Sequence, residues 1–336
     1  MGICQAAQVL AQRFERQLLG SERGTDVAAV AGRLLAVQAQ DLRSARLAVR
    51  ARTEDIAVAE IDRAIGEERS VVVCWLNRGT LQLVRSDDYW WLHALTTPPL
   101  FTANARRLAQ TGVSPAQAEH GVALVERVLG DEGPMARDDL RDRLDEARIP
   151  TAGQALIHLL MLVCLRGIAV RGPFVGGRHA YVLARDWLPR PSTFDRDRAL
   201  GELARRYLAG HAPADDRDLA KWAGLPLRDA RAGLARAGRP AVLAREPAPR
   251  PCLLDQWDPV LVGWRSREAL LGDFAERNDP AAHYRPFAYV DGRAVATWRL
   301  RGGVVELSEP FARLSSAARA ALDHDAAAVE RFLAVP

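Results

Sequence analysis

Twice within the first 190 residues, segments with apolar residues at helical spacing give way to a short run rich in β-branched and aromatic residues and broken by glycine. In the first round the spacing predicts helices over 3–19, 26–37, 42–52 and 55–66. VVVCWLNRGTLQLV, 71–84, follows as a strand or hairpin with its break at Asn77 to Gly79, and then SDDYWWLHALT as a helix stopping before Pro98-Pro99. In the second round helices over 114–129, 136–147 and 152–166 lead into GIAVRGPFVGGRHAYVLARDWL, two strands around a Gly-Pro and Gly-Gly turn. A helical spacing will not rest in a sheet, nor an alternating one in a helix, so this order excludes all-α and all-β folds.

Helices followed by a β-hairpin form the winged-helix arrangement, a relative of the helix-turn-helix. LPRPSTF, 188–194, marks a boundary, after which 195–237 gives three short helices that bend at Gly224 to Pro226, a third, trimmed module. From REPAPRPCLL onward the pattern is β, with strands near 252–256, 259–264, 286–290, 294–301 and 304–307. Asp291-Gly292 and Gly302-Gly303 supply tight turns. In AVATWRLR the residues Ala294, Ala296, Trp298 and Leu300 share one face, and Val295, Thr297, Arg299 and Arg301 the other. A helix over 315–334 closes the chain. The fold class is therefore α+β, divided at 1–110, 111–190, 191–247 and 248–336.

Composition narrows the function. At 336 residues, 49% hydrophobic and 26% charged, the chain resembles an ordinary globular protein, and it holds no apolar run long enough to span a bilayer. The start MGICQA is too polar for a secretory signal and lacks the Ser or Thr of a myristoylation site, which points to a cytosolic protein without membrane attachment. Cys4, Cys74, Cys164 and Cys252 lie far apart and read as buried thiols, and the seven histidines are equally dispersed, so neither a metal nor another cofactor is expected. The formal charge is +4 and Lys221 is the single lysine. The arginine excess fits a GC-rich genome as well as phosphate contact, and a Schiff-base mechanism has only Lys221 or the terminal amine to use.

LLAVQAQDLRSARLAVRAR, 34–52, places Gln38 and Gln40 one alanine apart. On a continuous helix they would point about 200° apart. They converge only if the helix ends there, and Asp41 is a natural N-cap for a new helix from Leu42. By themselves the residues leave two readings open, a solvated helix junction and a polar pair held in a site.

The segments AVQAQD, WLNRGTLQLV, RGPFVGGRHAYVLARDWL, LARRYLAGHAPADDRDLAKWAGLP, DQWDPVLVGWRSRE and YVDGRAVATWRL, in order along nearly the whole chain, resemble the winged-helix DNA glycosylases of the AlkZ and YcaQ type. The resemblance implies three tandem winged-helix modules and a C-terminal β-barrel forming a C-shaped DNA channel. It also implies a bacterial, nucleoid-associated monomer that excises bulky N-alkylated purines from double-stranded DNA, including unhooking of interstrand crosslinks. The family's catalytic Gln-x-Gln falls on Gln38 and Gln40. Relatives of the YcaQ kind carry Asp at the second position, so Gln40 sides with the AlkZ branch, often associated with self-resistance to DNA-alkylating natural products. The family's usual WLMRGTLHLV has Met and His where this chain has Asn77 and Gln82, which implies an altered substrate preference.

Carboxamides suit this chemistry. Alkylation at N7 charges the purine, which then leaves without a strong general acid, and the sugar acquires oxocarbenium character. A Gln carbonyl accepts from the attacking water while its NH2 holds an adjacent oxygen. Arg171, Arg178 and His179 at the shoulders of the second hairpin, Arg78, Thr80 and Gln82 in the first, and Arg265 and Arg267 after a C-terminal strand are the expected DNA contacts. Trp90 and Trp91 read as core aromatics. The rival from another class is a winged-helix transcriptional regulator with no catalysis.

Overall fold

The computed structural model describes residues 3–190, 193–243, 245–272, 274, 285–311 and 313–334, with backbone alone for residues 3–5. Within the expected linker, Pro191 and Ser192 lie outside this set, as does the side chain of Cys4. In chain order the first elements are α1 (Ile3–Arg16), α2 (Val27–Leu34), β1 (Val37–Gln38), α3 (Leu42–Arg50), α4 (Val58–Gly66), β2 (Val71–Leu76), β3 (Thr80–Arg85), α5 (Tyr89–Thr96) and α6 (Leu100–Gln110). Next come α7 (Pro115–Asp131), β4 (Met135–Ala136), α8 (Arg137–Glu146), α9 (Ala155–Leu165), β5 (Ala169–Val175), β6 (Arg178–Leu183), α10 (Ala184–Trp187), α11 (Arg196–His211), α12 (Asp216–Ala223) and α13 (Leu227–Ala237). The remainder comprises β7 (Cys252–Leu254), α14 (Pro259–Val262), α15 (Glu268–Leu271), β8 (Phe287–Val290), β9 (Arg293–Arg301), β10 (Val304–Leu307) and a last helix, α16 (Ser316–Ala334).

The chain divides into two compact units, one of residues 1–61, 200–222 and 226–336, the other of residues 62–199 and 223–225. In the second unit α9 is apolar on every side, ALIHLLMLVCL, and nine of its side chains are buried, as an all-round hydrophobic helix must be. The strands of this unit run in the order β3-β2-β5-β6-β4. The β2–β3 hairpin closes through Asn77-Arg78-Gly79, with Asn77 at φ 52° and Gly79 at φ 80°. Asn is one of the few side-chain-bearing residues that enters this left-handed region readily, so Asn77 has a backbone reason of its own.

The β5–β6 hairpin turns at Gly176-Gly177 alone, both at positive φ as a type I′ turn needs. Gly172-Pro173 is not part of that turn. It lies within β5, where the register slips between Arg171 and Phe174. The bulge takes Pro173, which lacks an N–H, out of the ladder. Gly172 is required because a Cβ there would meet Trp187 Nε1 at 2.4 Å.

In the first unit α1 turns Leu10 and Phe14 into a core shared with Cys252, Leu254, Phe287 and Tyr289, and Phe14 lies 5.6 Å from Tyr289. The strand expected over 259–264 is instead helical. Asp258 accepts from Val260 N at 2.9 Å and Pro259 occupies the first helical position, so capping outweighs the β-branched composition of PVLV.

The C-terminal strands form an antiparallel meander, β7-β8-β9-β10, with the expected Asp291-Gly292 and Gly302-Gly303 turns. Among the described residues it is an open sheet with β7 and β10 at its edges, where the resemblance implies a β-barrel. Carboxylates of α16 serve these edges. Asp325 accepts from Leu253 N at 2.7 Å and Glu330 from Val305 N at 2.7 Å, so closure is not needed to satisfy them. The basic side chains of β9, Arg299 and Arg301, face outward as expected, while the register slip opposite Ala288 and Tyr289 buries Val295 together with Ala296.

Candidate active site

The first helix of the glutamine segment ends earlier than its apolar spacing predicts. It stops at Leu34 because Leu35 takes φ 65°, which a right-handed helix does not admit. Val37-Gln38 is then extended and Asp41 opens α3, accepting from Arg43 N at 3.0 Å with its own backbone in the β region. The 200° divergence of a continuous helix therefore does not arise. Gln38 is 4% exposed, whereas Gln40 is exposed in the bend before α3. One amide is thus fixed by burial and its neighbour presented at the surface, and the carboxylate between them and α3 is engaged as a cap.

Behind this segment lies a set of buried polar contacts in the same unit. Ser44, in the first turn of α3, donates its hydroxyl to Asp255 at 2.6 Å. At the other end of α3, Arg50 pairs with Asp325 at 2.9 Å. Arg52, fully buried, makes a two-pronged pair with Asp258 at 2.7 and 2.8 Å and also donates to Ala48 O at 2.8 Å and Gln17 Oε1 at 3.2 Å. Gln17 passes the chain on to Gly210 O of α11 at 3.0 Å. Three carboxylates thus hold the helix whose N-terminus adjoins the glutamines. Sequence reasoning missed all three; for Asp255 and Asp258 the signal is the pair of aspartates in DQWD inside an apolar run, where an unpaired carboxylate is too costly to bury.

The backbone approaches closely on the other side of the segment. A Cβ at Gly210 would stand 2.4 Å from Arg33 O, so α11 meets the last turn of α2 main chain to main chain. The next residue, His211, is fully buried, stacked on Tyr207 at 4.5 Å and flanked by Trp222 and Trp264, with Nδ1 3.1 Å from Tyr207 O. Burial, outweighing that backbone contact, and the charges of Arg52 and Arg13 push its pKa down to about 3, so it is neutral at working pH.

The other expected contact residues fall as follows. Gln82 is buried on β3 and donates to Thr80 at 2.6 Å, and Arg78 is half-buried in the turn between β2 and β3. Arg171 is not at the hairpin's shoulder. It sits within the sheet, opposite Val73 on one side and Tyr181 on the other, its guanidinium 5.7 Å from the Tyr181 ring. Arg178 is on the hairpin and bonds Asp139 at 2.9 Å through both carboxylate oxygens, and His179 stacks on Phe174 at 5.0 Å. Arg265 is exposed, with its backbone N–H on Asp218, while Arg267 directs Nε to Leu261 O at 2.6 Å. Trp90 and Trp91 are half-buried, and Trp90 donates to Pro189 O. Lys221 is exposed on α12.

Cys74, Cys164 and Cys252 are buried, and burial raises all three thiols, Cys164 and Cys252 to about 12, which leaves them protonated and unreactive. Among the described residues no group of three or more His, Cys, Asp or Glu is placed to hold a metal ion, and no helix is long and apolar enough to cross a membrane.

Known proteins give the geometry its context. No curated protein matches the chain by sequence. Among solved structures it is similar to the DNA glycosylase AlkZ of Streptomyces sahachiroi, with a TM-score of 0.77 and 25% identity, covering 98% of this chain and 96% of that one. The family model for the AlkZ-like DNA glycosylases matches residues 31–332. That span takes in the glutamine segment, the capped helix α3 and nearly all of the buried network behind it, and on it this chain belongs to the AlkZ-like DNA glycosylases.

Proposed function

We propose that this DNA glycosylase hydrolyses the N-glycosidic bond of N-alkylated purines in double-stranded DNA, above all N7-alkylguanines, and that Gln38 and Gln40 carry the reaction. The observation that supports it most is the pairing of a buried glutamine with an exposed one at the capped start of a helix, in a family of DNA glycosylases. The N7-alkylated base already bears a positive charge. Cleavage of C1′–N9 returns the bond's electron pair to the ring, and the purine leaves neutral. The positive charge passes to the sugar, where a water oxygen forms the new bond to C1′ and its proton is lost to solvent. An exposed Gln40 carbonyl accepts from that water, and the amide group of either glutamine donates to a sugar or phosphate oxygen. Neither takes a full proton, so an uncharged purine, which needs one, is not released.

The reading extends to interstrand crosslinks and to self-resistance against a genotoxic product, to a bacterial nucleoid protein acting as a monomer, and to tandem winged-helix modules at 1–110, 111–190 and 191–247 ahead of the C-terminal sheet around a C-shaped channel. Arg78, Thr80, Gln82, Arg171, Arg178, His179, Arg265 and Arg267 are assigned to DNA. Of these, Arg178 is the most readily redirected, since an exposed ion pair such as that with Asp139 is worth about 0–1 kcal/mol and is easily exchanged for a phosphate.

The test is single-turnover excision from a duplex containing 7-methylguanine. Gln40→Ala is expected to slow excision by on the order of 10²-fold, the cost of losing one positioned polar group at a reacting centre, with duplex affinity retained. Excision unchanged in that variant would refute the assignment. A sequence-specific footprint without abasic product would favour a regulator instead. Because the exposed Lys221 is the only side-chain amine, borohydride should trap no covalent adduct there.

A further inference from the structure

The first unit contains a cleft of about 360 Å³ between the C-terminal ends of α1, α2 and α11 and the segment 238–243 that follows α13; neither Gln38 nor Gln40 lines it. Four arginines line it, Arg16, Arg33, Arg205 and Arg239, against one carboxylate, Glu22. Two of the four are already neutralised. Arg33 pairs with Glu22 at 2.5 Å and Arg205 with Glu202 at 2.6 Å. The other two are not. Among the described residues Arg16 meets no carboxylate: one NH2 group donates to Ala241 O, and its Nε is buried without a hydrogen-bond partner. Arg239 is exposed and has no ion-pair partner among the described residues. Burial, and then the like charge of Arg33, lower the pKa of the Arg16 guanidinium, the direction in which an anion beside it would be favourable. Glu15 does not relieve it, since its carboxylate is taken by Ser21, Glu22 N and Ala248 N.

A guanidinium is rarely withdrawn from water beside a second one unless an anion completes the set. Paired donors at fixed angles favour a tetrahedral oxyanion with several acceptors. We propose that this cleft is a phosphate-binding site in which Arg16 and Arg239 supply the unpaired charge and Arg33 and Arg205 frame the opening. It does not depend on the catalytic role of Gln38 and Gln40. The phosphate has two possible sources: a free nucleotide or pyrophosphate, for which the walls provided by Leu208, Pro240 and Val242 offer apolar contact, and a backbone phosphate of duplex DNA outside the reacting nucleotide.

The experiment compares the full chain with Arg16→Gln, Arg239→Glu and the exposed-strand control Arg293→Gln. Calorimetric titration uses pyrophosphate and AMP in one arm and undamaged duplex at several salt concentrations in the other. A Kd for pyrophosphate or AMP that rises at least tenfold in both cleft variants, and not in the control, supports the site with a free phosphate ester as occupant. A duplex affinity that falls at least threefold in both, with a shallower salt dependence, supports it with DNA as the source. If both variants bind all three probes as the control does, the proposal is overturned. Arg239→Glu, at an exposed position, decides the matter should Arg16→Gln fail to fold, and excision by the Gln40→Ala variant is read separately.

Discussion

Removing the charge of Asp258 without changing its shape tests how the segment that follows the glutamines is held. Both side chains of the Arg52–Asp258 pair are 0% exposed, with two bonds of 2.7 and 2.8 Å between them. In Asp258→Asn the side chain can still cap α14, as Asn is as good an N-cap as Asp. What it loses is the negative charge, and one of the two atoms facing the guanidinium becomes a donor. Arg52 then remains buried with only Ala48 O and Gln17 Oε1. Breaking a buried pair from one side costs about 3–5 kcal/mol, because the remaining charge is uncompensated. At about 2–4 °C per kcal/mol for a unit of this size, Tm is expected to fall by roughly 6–20 °C in a calorimetric scan. The double variant Arg52→Met with Asp258→Leu should be more stable than Asp258→Asn, since it leaves no charge behind. A loss under about 1 kcal/mol in Asp258→Asn, or a double variant as unstable as the sum of its single changes, would show that water reaches the pair and would refute the reasoning.

Other outcomes follow from the same unit. The pKa of His211 is lowered to about 3 from an ordinary 6.5, so between these values the unfolded chain binds the proton that the folded one refuses. Stability should therefore fall as pH drops from about 6.5 toward 3, at up to about 1.4 kcal/mol per pH unit from this residue. His211→Phe should remove that component from denaturant titrations at pH 7, 5.5 and 4; an identical pH slope in the variant would contradict the assignment. Gly210→Ala forces a methyl to 2.4 Å from Arg33 O, and because the obstacle is backbone, a loss of at least about 1–3 kcal/mol is expected by chemical denaturation. Its excision rate should fall as well, since α2 must shift and carries the glutamine segment with it; a stable, fully active variant would show that the close approach is not needed.

Much of the fold was legible in the sequence, because the signals are local. Both hairpins, the double-glycine and Asp-Gly turns, the Asp41 cap and the long final helix follow from side-chain period and from the few residues that accept positive φ. The stretch after Asp258 was misjudged because PVLV suits a strand by composition, while the cap and Pro259 decide for a helix. Gly172-Pro173 resembled a turn, and only the close packing of Trp187 explains why the same dipeptide serves as a bulge inside β5. Asn77 sits where its left-handed backbone favours Asn, a requirement that the sequence alone does not display.

By itself the sequence determined the order of elements, the presence of a single lysine, Lys221, and the position of the glutamine pair at a helix junction. Tertiary structure decided that Gln38 is buried while Gln40 is exposed. It also decided that Asp255, Asp258 and Asp325 secure α3 and the residues just after it from partners up to 275 residues away in the chain, and that carboxylates of α16 bond the edge strands of a sheet that is open among the described residues. Period and capping act within a few residues, so a sequence displays them. Burial and ion pairing depend on which distant segment arrives, and that is settled only when the chain has packed.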